Sequence, residues 1–176
     1  MPRGRPPDSG TSREILDAAA IEMAEQGYSG MSMDDVAGRA RVSKPTIYSR
    51  FPAKRALALA VVDDRSERAL AELADAASDE LADLLVRYAG AWLDHGLVGV
   101  LAGVTCSGPE RDVLLSAFTS RTLEPWLGSL RSQLRKRDVD DARTEGLVAL
   151  ALGAALLATL VDQPISPDVM ADASRP

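Results

Sequence analysis

Two serines, Ser32 and Ser43, constrain this chain more than any other feature of it. Each precedes residues with helix-start chemistry. Asp34 and Asp35 follow the first, and carboxylates in a first turn are favoured by the positive end of the helix dipole. Pro45 follows the second, where the amide that proline lacks would have no partner anyway. Only one short helix fits between them, ending near Arg39–Arg41, with Val36, Ala37 and Ala40 as a narrow apolar face. Small side chains there allow a close crossing. Val42 plugs the connection, and Ile47 and Phe51 anchor the second helix inward. Residues 32–51 therefore predict two short helices joined by a tight turn.

The surrounding pattern is helical throughout. Ala, Leu, Arg, Glu and Asp abound, only 4% of residues are aromatic, and β-branched residues rarely run together. Thr11 or Ser12 is expected to cap a first helix, with Ile15, Ala18, Ala19, Met23 and Ala24 at helical spacing and Gly27 as its left-handed stop. After Pro52 a longer helix runs from Ala53 to about Ala77, with Leu57, Val61, Leu70 and Leu73 on one side. Further helices are expected near 79–95, 98–105, 110–121, 123–137 and 141–162, and Gly108-Pro109 breaks two of them apart. The tail is polar, with at most a short turn near Pro167–Asp172. The fold class is all-α. Residues 1–10 read as a flexible basic arm, 11–55 as a three-helix helix-turn-helix domain, and 56–176 as a helical body for dimerisation and effector binding.

Charge is divided unevenly. The whole chain carries −6, yet residues 1–55 hold nine Lys/Arg against seven Asp/Glu. A basic end on an acidic body suits a chain that meets nucleic acid in one orientation. In a helix-turn-helix, the second helix enters the major groove. A single Cys and a single His leave no intrachain disulfide, and no metal site, cofactor or catalytic residue is expected. The one cysteine fits a reducing cytoplasm. The longest apolar run, Leu147 to Val161, is shorter than a bilayer needs, so no membrane partner is expected.

The run Ser32-Met33-Asp34-Asp35-Val36-Ala37, then Val42 through Phe51, then Lys54, resembles the DNA-binding signature of the TetR (tetracycline-repressor-like) transcription regulators, over about residues 11–62. The resemblance implies a homodimeric all-α regulator, usually a repressor that a small ligand releases from DNA. It implies that Ser43, Lys44, Thr46, Tyr48 and Arg50 face DNA, that Lys54 holds a backbone phosphate, and that Ser32 caps its helix beside one. Many members have glycine where Arg41 stands, so strain is expected in the turn.

In the body, residues from Gly146 to Val161 are apolar nearly all round, and Gly146, Ala149, Gly153 and Ala154 permit close helix approach. A second copy is the expected cover, through the helices near 123–137 and 141–162. Such a dimer presents two recognition helices to a near-palindromic operator in double-stranded DNA. Trp92, His95, Cys106, Phe118 and Trp126 are the candidates to line a pocket for a small apolar effector. The competing reading is a dimeric scaffold, or a small-molecule binder, without sequence-specific DNA binding. An enzyme is disfavoured. Ser107 and Ser116 near His95 form no recognisable nucleophile arrangement, and no glycine-rich phosphate loop is present.

The arm adds a minor-groove reading. Arg3-Gly4-Arg5, flanked by prolines, resembles an extended Arg-Gly-Arg that enters narrow A·T-rich grooves. Deleting residues 1–7 is expected to weaken DNA binding and flatten its dependence on salt. A titration at several salt concentrations checks this, and an unchanged affinity and slope would remove the arm from the mechanism.

Overall fold

The computed structural model describes residues 9–74, 80–161 and 164–174, and the arm with Arg3 and Arg5 lies outside them. Among the described residues ten α-helices follow one another: α1 (Ser9–Gly30), α2 (Met33–Ala40), α3 (Lys44–Tyr48), α4 (Lys54–Ala74), α5 (Leu81–Asp94), α6 (Leu97–Thr105), α7 (Arg111–Phe118), α8 (Glu124–Arg135), α9 (Asp141–Val161) and α10 (Pro167–Ser174). A 3-10 turn over Gly108–Glu110 and a π turn over Thr119–Leu123 flank α7. No strand occurs among the described residues, as the composition predicts. The helix expected to reach about Ala77 is described as far as Ala74, and residues 75–79 lie outside the description.

The chain divides into two compact units. The first takes in residues up to Asp64 together with Gly99–Phe118, and the second Arg65–Val98 with Thr119–Pro176.

In the first unit, α1 starts earlier than its pattern predicts. Thr11 and Ser12 lie within it rather than capping it, and the Ser12 hydroxyl accepts from Arg50 Nε at 3.1 Å. The helix breaks at Gly27, with φ 67 and ψ 166. That pairing of a positive φ with extended ψ is essentially restricted to glycine, more so than the left-handed helical stop expected there. The core joins Ile15, Ala19 and Met23 of α1 to Val36, Ile47, Leu57, Val61, Val104 and Leu114, none measurably exposed. Burying each of the larger of these contributes roughly 1.5–3 kcal/mol. Ala24, by contrast, is exposed.

The α6 stretch from Gly99 packs on α1 through glycines, with no side chain of its own at the two closest points. A methyl at Gly103 would stand 2.5 Å from the Met23 carbonyl oxygen, and one at Gly99 would stand 2.7 Å from Ala24 Cβ. Glycine is required here by closeness, not by its backbone angles.

The second unit is built round three aromatics. The Trp92 and Trp126 rings meet edge-on at 5.7 Å, and Tyr88 meets Trp126 at 5.8 Å. Trp126 Nε1 donates to the Tyr88 carbonyl at 3.2 Å, and the Tyr88 hydroxyl is 2.6 Å from Ser129 Oγ. The polar tips of Trp126 and Tyr88 are thus satisfied while their rings are buried. α9 packs on α5 and α8, and Arg131 of α8 grips Glu145 of α9 through two nitrogens at 2.7 and 2.8 Å. α10 is a full two-turn helix rather than the short turn expected, because it packs on α5 and buries Met170.

By length and composition α9 is apolar enough to span a bilayer. It is amphipathic only through packing. Leu147, Val148, Ala151, Ala155 and Ala158 are buried, while Leu157, Leu160 and Val161 are 60%, 79% and 57% exposed.

Gly103→Ala is expected to destabilise the protein by roughly 1–3 kcal/mol, since α1 backbone stands where the methyl would go. Chemical denaturation measures this, and a variant as stable as the parent would show that the contact relaxes freely.

Candidate nucleic-acid interface

α2 is held at both ends by its own sequence. Ser32 is its N-cap, in extended conformation, and its hydroxyl oxygen accepts from the Asp35 amide at 3.1 Å. The same hydroxyl donates to Asp35 Oδ2 at 2.5 Å. At the other end Arg41 has φ 54 and ψ 37, the left-handed conformation. Its amide reaches Gly38 O at 3.2 Å, and the Val42 amide reaches Ala37 O at 3.0 Å. This paired closure normally employs glycine, and a side chain at such a φ costs about 1–2 kcal/mol.

α3 begins two residues later, at Lys44. Ser43 caps it, accepting from the Thr46 amide at 3.3 Å, and its hydroxyl lies 2.7 Å from Thr46 Oγ1. Pro45 stands in the first turn as its chemistry predicts. Ile47 is fully buried, and Phe51 is half-buried with its amide bonded to the Ile47 carbonyl at 2.8 Å. Ile47 therefore points into the core of the first unit and fixes which edge of α3 remains outside.

That outer edge carries Ser43, Lys44, Tyr48 and Ser49, all exposed, with Tyr48 at 44%. Thr46 and Arg50 are half-buried. Arg50 turns back along α3, donating to Ser12 Oγ and, at 3.5 Å, to the Thr46 carbonyl. Lys54, at the start of α4, donates to the Ser29 carbonyl at 3.1 Å and lies 4.6 Å from the centre of the Tyr28 ring. Partial burial lowers the ammonium's pKa below the usual lysine range. Lys44 behaves in the opposite way. It reaches both carboxylate oxygens of Asp34, at 2.6 and 2.8 Å, and the hydrogen bond to Asp34 raises its pKa.

The pairings across helices escaped the sequence reading. Arg39 of α2 binds Glu22 at 2.8 Å and Glu25 at 2.7 Å on α1. Arg55 lies 3.3 Å from Glu110. Glu22, Glu25, Asp34 and Asp35 with Arg39 line a cleft beside α1 and α2, a surface that repels phosphate. No periodicity marks such partners.

Of the residues proposed for an effector, Trp92 and Trp126 are buried against each other in the second unit. His95 caps the end of α5 there, with Nε2 2.7 Å from Glu72 Oε2. Cys106 and Phe118 belong to the first unit. Cys106 is exposed and its carbonyl accepts from the Ser29 hydroxyl at 3.1 Å, whereas Phe118 is buried.

Comparison with known proteins agrees with this geometry. Residues 15–61 match the family described as bacterial regulatory proteins, tetR family. The uncharacterised HTH-type transcriptional regulator YdeS of Bacillus subtilis is 46% identical over 55 residues, covering 31% of this chain and 28% of that protein. The HTH-type transcriptional regulator EthR of Mycobacterium tuberculosis is 35% identical over 86 residues, covering 45% of this chain and 40% of that protein. The chain thus spans well under half the length of the curated relatives it matches. Solved structures extend the likeness of fold to nearly the whole chain. A tetR-family regulator from Mesorhizobium loti superposes with a TM-score of 0.67 at 23% identity, covering 94% of this chain and 92% of that one. The fatty acid degradation regulator FadR from Bacillus halodurans gives 0.69 at 16% identity, covering 94% and 93%.

Arg41→Gly is expected to raise stability by up to about 1 kcal/mol, the relief of left-handed strain less glycine's greater freedom when unfolded. A urea titration reads the change, and a lower midpoint would show that the Arg41 side chain contributes more than its backbone loses.

Proposed function

We propose that this chain, which carries the DNA-binding domain of the tetR family, is a homodimeric transcription regulator that reads a near-palindromic operator. It acts in the cytoplasm, and a small apolar effector releases it. The observation that carries this reading is the exposed edge of α3: Ile47 is buried and Tyr48 and Lys44 are outside, within the stretch matching the family.

The roles follow from chemistry. Tyr48 gives its hydroxyl to a phosphate, and Ser32 and Ser43 touch the backbone beside it. Lys44 and Thr46 reach base edges or phosphate. Arg50 and Lys54, whose charges are held by neutral oxygens, steady the strands at either side. The arm with Arg3 and Arg5 adds minor-groove contact.

Dimerisation falls to α9 with α10. In the second unit the large exposed apolar residues are Leu157, Leu160, Val161 and Val169, on these two helices. α8, to which the sequence also points, uses Trp126, Leu130 and Leu134 inside the unit and would bring its outward face, with Gly128 and Ser132, to the interface. Gly146 and Gly153 have open space beside them, which admits a second helix closely. The effector is proposed to lie in the second unit, with Trp92 and Trp126 as apolar walls and His95 at its rim. Two structural neighbours are solved with ligands that carry a large apolar part beside a charge: a FadR from Bacillus subtilis with stearoyl-CoA, and EbrR with ethidium. Repression is the reading taken here, although FasR of Mycolicibacterium smegmatis is an activator.

Selection of bound sequences from a random duplex pool is expected to yield a symmetric consensus. The Tyr48→Ala, Lys44→Ala double variant is expected to lose affinity for it by at least 100-fold, an order-of-magnitude figure for removing two contacts per half-site, while helicity and dimer mass persist. An unaffected double variant would favour the scaffold reading.

A further inference from the structure

We infer that Asp34 is an internal counter-ion for Lys44, and that it sets how tightly and how salt-dependently the α3 face grips DNA. The inference rests on the DNA-facing role of Lys44 proposed above.

The cations assigned to this face among the described residues are Lys44, Arg50 and Lys54, and they are held differently. Arg50 donates to a serine hydroxyl and a carbonyl, and Lys54 to a carbonyl. Neutral oxygens leave both charges in place for a phosphate. Lys44 alone of the three is engaged by a carboxylate, with both oxygens of Asp34 within 2.8 Å. Before DNA arrives, its charge is already answered.

Asp34 has no competing duty in the cap. The α2 N-terminus is closed by Ser32 and Asp35, which hydrogen-bond each other and leave Asp34 out. The Lys44 and Asp34 side chains are 51% and 64% exposed. An ion pair so open to water is weak enough to be exchanged. Two acceptor oxygens on Asp34 also resemble what DNA offers: a phosphate, or the O6 and N7 edge of guanine.

The physical consequence is an exchange of anions. A free lysine that meets phosphate releases a counter-ion condensed on DNA, which steepens the dependence of affinity on salt. Lys44 instead gives up Asp34, whose freed carboxylate then sits close to the duplex and gathers a cation of its own. The net release from Lys44 is therefore near zero. The penalty falls on every duplex that draws Lys44 away from Asp34, by a similar factor on each. Asp34 thus lowers the grip of the face as a whole, and with it the time spent on unrelated sequence.

The test compares the full chain with the variants Asp34→Asn, Lys44→Ala, their combination, and Tyr48→Ala. Each is titrated, over a range of salt, against the consensus duplex from the selection and an unrelated duplex of equal length. Asp34→Asn is expected to tighten binding by roughly 3–10-fold on both duplexes, the order of magnitude of an exposed ion pair plus a removed like charge. It should steepen the slope of log affinity against log salt by about 0.9 per protomer. With Lys44→Ala present, the same substitution should tighten binding clearly less, because no ion pair then has to be broken. An unchanged slope in Asp34→Asn, in a protein that Tyr48→Ala still disables, overturns the role of Asp34 and leaves the DNA-reading face standing. Equal tightening with and without Lys44 also overturns it, because Asp34 would then repel DNA directly. If Tyr48→Ala binds like the parent, the face assignment itself fails.

Discussion

A helix of five residues has no stability of its own in water, since nucleation is unfavourable and almost no internal hydrogen bonds follow. α3 exists because Ile47 is driven into the core of the first unit, and because Ser43 supplies one of its missing acceptors. All that is proposed for DNA depends on this anchoring. The same burial that holds the helix turns Lys44, Tyr48 and Ser49 outward, so stability and presentation come from one interaction. α2 serves as the brace, with both its ends closed by the residues that delimit it.

Electrostatics on this unit is a matter of prior engagement. An acidic chain has few positive charges to spare, and most of those near α3 have internal partners. Arg39 and Arg55 are committed to carboxylates away from the α3 edge, where they tie elements together. Neutral partners orient Arg50 and Lys54 without reducing their charge. Local arrangement, more than net charge, decides what this surface attracts.

Much of the architecture is legible in the chain because it is local. Ser32, Ser43 and Pro45 act within three residues of their own positions, and the observed helix limits fall close to those they and the apolar spacing predict. The strain at Arg41 is legible through the resemblance, which often has glycine at that place. What stayed hidden is non-local. The partners of Lys44, Arg39 and Lys54 come from other helices, and no pattern in one helix encodes them. α1 starts before Thr11 and Ser12, which look like caps, because the Ser12 hydroxyl is spent on Arg50. α10 was underestimated because its polar sequence hides a single buried anchor, Met170. Residue type alone groups Trp92, His95, Cys106, Phe118 and Trp126, and it carries no information on which unit each belongs to.

The junction between α6 and α1 has a consequence for how this protein varies through descent. Where Gly103 meets the Met23 carbonyl, main chain touches main chain, with no rotamer between them to adjust. Side-chain contacts tolerate drift, because a neighbour can swing aside for a newcomer. This seam offers no such slack. Any lineage that replaces the glycine must re-seat a whole helix in the same step, so the position is closed to gradual change while the residues around it remain free to wander.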